Sequence, residues 1–441
     1  MYNMAAMRNL NETQNTPCYK TIFFSYSIAF MELLLCQPFH DWIRFILYLT
    51  VLVLGFITIL KTWNLQPHVF NIAAYLLLST EIWTSILLFV HGEFMIYGLA
   101  ALINISFFII GLQQTSSDDL LKEALTVTRV LTYTTLFIVI ISLSIKPIMA
   151  QFPALNDLRI LGKPFVFSDI SAYDEYRLKG FAHHPNQTGM ICSTAIISSF
   201  FVFLFSSKKT DIIVSIINIV LNSLFLILAS SRSPIVATAT FLVAFLIYYF
   251  SCNGITMNAT NKRLLTFIIV CFICLAIVLT LAISNDNIKD YLLYKIIRVQ
   301  NIETATGRTE LQKITINDYL AKHKFFLGLS KTDILNTTGR FGPHNTFIEI
   351  LTAKGIISFI LFIGALLSII VYSIRLLLSR DLSSSEKILM PLAFGMIFAT
   401  IVQNSFESAY LYELTGAAPF ERWALCIPAI VWCNHRKKKS I

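Results

Sequence analysis

The 441-residue sequence is 56% hydrophobic and only 13% charged, with a mean hydropathy of +0.69, which is more apolar surface than a soluble fold can bury. Its formal net charge of +9 raises nucleic acid as a partner, but no polar segment carries a basic stripe interleaved with stacking aromatics, so nucleic acid is excluded and membrane topology accounts for the excess. The eight cysteines lie in or beside apolar runs rather than in the long polar loops, which argues against a disulfide framework. Cys271 and Cys274 form a C-x-x-C without His or acidic companions, a pattern of core packing rather than of a metal or redox centre.

In chain order, a polar stretch to Lys20 leads directly into full-length apolar runs, so no cleavable signal peptide is expected. Runs such as the one beginning at Leu264 are long enough to cross a hydrocarbon core as helix, and they lack the alternation of barrel strands. The expected fold is all-α: a polytopic integral membrane protein, one membrane domain over 1–441. About twelve transmembrane helices are expected, at 21–39, 42–60, 69–90, 94–112, 127–148, 188–206, 212–229, 234–251, 264–283, 352–376, 387–404 and 418–433.

Orientation follows from Lys and Arg in the short connections. With both termini cytoplasmic, Lys208 and Lys209, Lys262 and Arg263, Arg375, Arg380 and Lys387, and His435 to Lys439 all lie inside. Two long polar loops then lie outside, at 149–187 and 284–346, and they alone offer room for an aqueous site. Within the second, Thr309 to His323 places Leu311, Ile314 and Leu320 among polar residues, which predicts a helical external loop between spans 9 and 10. No internal repeat or nucleotide-binding loop is evident.

Arg232, in ASSRSPIVA between two spans, breaks the positive-inside pattern. It either snorkels to lipid headgroups or binds an anion. Arg308, in ATGRTELQK, precedes the predicted surface helix, where a guanidinium and a helix N-terminus together suit phosphate, although a solvated loop arginine reads the same way. His344, in GPHNTFIEILTAKG, starts a helix at membrane re-entry, and its imidazole suits proton transfer near neutral pH. Asn345 beside it caps that helix or orients a substrate hydroxyl. The segment RLKGFAHHPNQTG repeats the arrangement, placing Arg177, His183, His184 and Asn186 near the interface and adding Arg177, His184 and Asn186 as candidate substrate-binding residues. Its adjacent histidines cannot project together from a regular helix, so a metal site is not expected. Glu407, in NSFESAYLYE, either caps a helix end or pairs with a cation, or joins the site, and Glu32 and Glu81 read as helix-pairing or inward-facing residues.

The order SSRS, TGRTELQ and GPHNTFIEILTAKGI, with its loop placement, resembles the O-antigen ligase and polysaccharide polymerase superfamily over roughly Arg177 to Glu407. The resemblance implies a metal-independent, cofactor-free glycosyltransferase of the bacterial inner membrane, with its active site on the periplasmic face. Its donor would be an undecaprenyl-diphosphate-linked oligosaccharide. Its acceptor would be the lipid A core in a ligase, or a second lipid-linked glycan in an O-antigen, capsule or exopolysaccharide polymerase. The GPHNT motif looks more like the ligase branch. Carried over, Arg232 and Arg308 contact the donor diphosphate and His344 lies at the reaction centre. Guanidinium groups held there would stabilise charge developing on the leaving diphosphate. A polysaccharide transporter is the competing class, disfavoured because the polar groups gather at one face rather than at the midplane.

Overall fold

The computed structural model describes residues 19–440 apart from 35–40, 63–71, 93, 114, 152–158, 161–162, 165–172, 175–176, 179, 181, 183–184, 230, 255–257, 270–279, 281–307, 339–344, 380 and 407–417. It is an all-α polytopic membrane protein. The helices are α1 Tyr19–Leu34, α2 Asp41–Thr62, α3 Ile72–Val90, α4 Phe94–Gly111, α5 Ser117–Gln151, α6 Pro185–Phe205, α7 Lys209–Ala229 and α8 Arg232–Asn253. They continue with α9 at 259–269, α10 Arg308–Ala321, α11 Lys331–Thr338, α12 Thr346–Ser379, α13 Glu386–Phe406 and α14 Ala418–Ser440. Among the described residues, eight helices are long and apolar enough to cross a membrane. The expected spans are helical where they are described, except at their last residues Leu112 and Ser206; of the ninth, 270–279, with Cys271 and Cys274, and 281–283 lie outside the described residues.

Local chemistry explains where the helices outrun the apolar runs. α5 starts ten residues before the expected span because Ser116 and Asp119 form a reciprocal cap: the Asp119 N–H donates to Ser116 Oγ (3.1 Å) and that hydroxyl donates to Asp119 Oδ2 (2.7 Å). The first polar loop carries two short antiparallel ladders, β1 Arg159–Ile160 with β2 Lys163–Pro164 and β3 Tyr173–Asp174 with β4 Arg177–Leu178.

α6 is the central helix, buried along its whole apolar length between α5, α7 and α8. Its small and hydroxylated residues let neighbours approach and hydrogen-bond where no water competes. Asn218 Nδ2 donates to Thr132 O (3.1 Å), Thr135 Oγ1 (2.9 Å) and Ser199 Oγ (2.8 Å), and Ser193 shares a 2.7 Å hydroxyl bond with Thr238. α8 lies along α13, where a Cβ on Gly395 would sit 2.7 Å from the Phe241 ring, so only glycine allows that approach. Large apolar side chains such as Leu60, Phe89, Val220 and Leu378 face outward, as a lipid-solvated bundle requires.

α12 is bent at Gly355, whose φ of 75° lies in the left-handed region that only glycine enters cheaply. The bend receives the turn between α10 and α11. Ile356 N–H donates to Phe325 O (2.8 Å), Leu329 N–H donates to Thr352 O (2.7 Å), and His91 Nε2 meets Leu327 O at 3.0 Å. Tyr319, Leu329, Ile334 and Ala353 form a small core beneath, while Phe325, Phe326 and Leu327 remain exposed. The expected helical loop between spans 9 and 10 is therefore two helices clamped to the bend of α12.

Candidate functional site

Four helix ends meet at one face of the bundle: the starts of α6, α8 and α12 and the finish of α13. Ser231 Oγ donates to Asn186 Oδ1 (3.2 Å), joining α8 to α6. Ser233 Oγ reaches Gln403 O (3.5 Å), joining α8 to α13. Asn345 Nδ2 donates to Ser405 O (3.0 Å) and Thr346 Oγ1 to Asn404 Oδ1 (2.6 Å), joining α12 to α13. Gly189 makes the α6–α8 approach possible, since a Cβ there would lie 2.6 Å from Ser231 Cβ.

These bonds have an electrostatic consequence. Asn345 accepts from the Ile348 N–H (3.1 Å) and so caps α12, as one of its two expected roles required. Ser231 occupies the N-cap position of α8 but makes no side-chain cap, its hydroxyl being spent on Asn186. Neither α6 nor α8 has an acidic residue in its first turn, whereas α12 carries Glu349 there. Each N-terminus carries roughly half a positive charge, and Arg232, half-buried on the first turn of α8, adds a full one. Such a concentration of N–H groups and positive charge suits an anion with several oxygens.

The expected site residues sort as follows. Asn186, Arg232 and Asn345 are brought together. Arg177 lies in β4, which packs on α6 and α7. Arg308 is the first residue of α10. His183, His184, His344 and Glu407 lie outside the described residues; in the chain, His184 immediately precedes Pro185, His344 precedes Asn345 and Glu407 follows Phe406.

The module holding Arg308 is itself braced. Lys324 Nζ donates to Asp333 Oδ2 at 2.9 Å, and Ser330 and Asp333 cap α11 reciprocally, with N–H to oxygen distances of 3.1 and 3.0 Å. The Lys324 contact, helped by Ser330, holds the Asp333 carboxyl well below the usual carboxylate range. The Asp318 carboxylate raises Lys322 in turn.

Reasoning from the sequence missed Gln403 and Ser405, which sit in the last turn of an apolar span and carry no motif. It also missed Arg422, buried on α14 as Glu81 is on α3 and Asn104 on α4. The burial of Glu81 meets the expectation that it faces inward.

Residues 217–363 match the O-antigen ligase family model. The match runs from α7 through the bend of α12, takes in Arg232, Arg308, His344 and Asn345, and supports the resemblance to the O-antigen ligase and polymerase superfamily. It supports a ligase-type role in glycan transfer, with lipid-linked glycan substrates at a membrane. No curated protein matches the chain.

Proposed function

We propose that this O-antigen ligase family protein transfers a glycan from undecaprenyl diphosphate to the lipid A core at the outer face of a bacterial inner membrane. The observation that carries the reading is that three helix N-termini, that of α8 bearing Arg232, meet the end of α13 at the face where the chain neighbours of His344 and Glu407 also lie. A diphosphate presents the oxygen array that such a site takes, and Arg308, at the start of a helix in the same family segment, supplies a second guanidinium.

In the reaction the acceptor hydroxyl oxygen bonds to the anomeric carbon as the bond from that carbon to the diphosphate oxygen breaks. The electron pair leaves with undecaprenyl diphosphate, whose added negative charge Arg232, Arg308 and the helix N-termini stabilise as it forms. The hydroxyl proton passes to His344, with Glu407 or Asp174 as the alternative base if the imidazole binds phosphate instead. Attack opposite the leaving group inverts the anomeric centre, and none of these steps calls on a metal. Arg177, His184, Asn186 and Asn345 serve the bound glycan or diphosphate.

Deletion followed by gel analysis of surface glycans tests the assignment. Loss of a ligase leaves polymerised chains on the lipid carrier; single repeats on the core or carrier would instead identify a polymerase, and units trapped inside an exporter. Reporter fusions after Lys209 and after Asn287 should read cytoplasmic and external respectively. The reverse pattern would put every proposed residue on the wrong side. Transfer should also persist in EDTA, and its loss with recovery on adding a divalent ion would contradict the metal-independent mechanism.

A further inference from the structure

Gln403 stands out among the groups joining the four helix ends. It is 1% exposed, and among the described residues neither its side-chain oxygen nor its nitrogen has a hydrogen-bond partner. Its neighbours are all engaged: Asn404 with Thr346 and Thr400 O, Ser405 O with Asn345, and Gln403 O with Ser233. Thr400, one turn deeper in α13 and 1% exposed, also has a hydroxyl without a partner. A buried amide left unbonded costs free energy on the order of 1–3 kcal/mol, and in an apolar bundle nothing local repays it.

The helix phase shows where these groups point. Gly395 faces α8, against Phe241, and Asn404 faces α12, at Thr346. Those two directions are opposite; at about 100° per residue, Gln403 and Thr400 share one side of α13 with the buried Leu389, Leu392 and Met396, facing the bundle at the end where the N-termini of α8 and α12 converge.

We propose that Gln403, extended inward by Thr400, is a sugar-binding subsite that holds the donor glycan's first residue beside the diphosphate. The chemistry selects the ligand. A primary amide offers a donor and an acceptor side by side, the complement of a sugar hydroxyl or an N-acetyl group, whereas a diphosphate has only acceptors and is served by arginines and helix N-termini. The proposal rests on the functional reading above, and Gln403 acts in it as a positioning residue that fixes the anomeric carbon.

The test uses the full chain in lipid nanodiscs with two probes, undecaprenyl diphosphate and the same lipid carrying one N-acetylhexosamine. Gln403→Leu should weaken binding of the sugar-bearing lipid about tenfold while leaving the bare lipid unchanged. Because it removes an unbonded buried amide, it should leave Tm unchanged or raise it, where a merely structural glutamine would lower it. Gln403→Asn should restore part of the sugar discrimination. Equal binding of each lipid by wild type and Gln403→Leu, as a water-filled amide would give, overturns the subsite. If wild type lacks transfer activity but the discrimination holds, the function fails and the subsite stands.

Discussion

The two ends of the helix bundle close their polar groups differently. At the end opposite Arg232, charge meets charge or a helix terminus. Arg263 Nη1 donates to the last carbonyls of α6, at Phe203 and Leu204 (both 3.2 Å) and Ser206 (2.8 Å). Asp211, in the first turn of α7, accepts from Arg129 (2.8 Å), Tyr133 (3.1 Å) and Ser206 (2.7 Å). Lys20 reaches Gly111 O (3.2 Å) and Thr115 (3.0 Å), and Glu386 accepts from Ser117 (2.7 Å) and the Ser383 N–H (2.8 Å). Cations sit at helix C-termini and anions at N-termini, which satisfies the dipoles and locks the loops.

At the Arg232 end the joining bonds run between neutral groups, positive helix ends converge without acidic residues on α6 or α8, and a buried glutamine amide is left over. A polar network closed by opposite charges and helix termini makes a braced end; one with positive charge and amide capacity in excess makes a binding end.

The comparison breaks most sharply by substitution at both ends. Arg232→Ala should cut glycan transfer by at least about a hundredfold while the protein still accumulates in the membrane, whereas Asp211→Ala, which strands Arg129, should cost about 3 kcal/mol of stability and reduce accumulation. Membrane protein level and transfer, measured side by side, should separate the pair; wild-type transfer by Arg232→Ala together with Arg308→Ala and His344→Ala variants would remove the site. A smaller loss, roughly tenfold in kcat, is expected of Gly355→Ala. Its Cβ would lie 2.2 Å from Phe326 O at a left-handed φ, so α10 should detach from the bend, visible as faster hydrogen exchange over 308–338.

The smallest effect is that of Asp333→Asn. The folded carboxyl titrates below its unfolded value, so its stabilisation is present above about pH 4 and is lost as pH falls through the lower folded pKa. Lys324 is partly exposed, which limits the pair to less than about 1 kcal/mol. The variant should therefore exchange slightly faster at α11 at neutral pH and lose the acid dependence; an unchanged acid profile would show that the pair contributes nothing.

Much of this molecule is legible in its sequence because the membrane imposes one dominant rule. A long apolar run has to be a helix, so the spans fall where the runs do, and an arginine that violates charge asymmetry stands out as Arg232 does. Asn345 was legible as a helix cap because Asn before a helical run is a local signal. The ends of α5 and α12 were not, because caps and a glycine bend extend helices beyond the apolar stretch that marks them.

The sequence by itself therefore determined the helical spans, the two polar loops and a short set of candidate residues, all of which depend on hydropathy and chain neighbours alone. Only the tertiary structure decided that Asn186, Arg232 and Asn345 stand at one junction, that α10 and α11 clamp the bend at Gly355, and that Gln403 is buried among bonded neighbours with its own amide unspent. Those facts depend on which helix end meets which, across separations of 45 to 170 residues. No local pattern encodes such a meeting; it follows from packing α6, α8, α12 and α13 around small residues such as Gly189 and Gly395, where a single Cβ would force the helices apart.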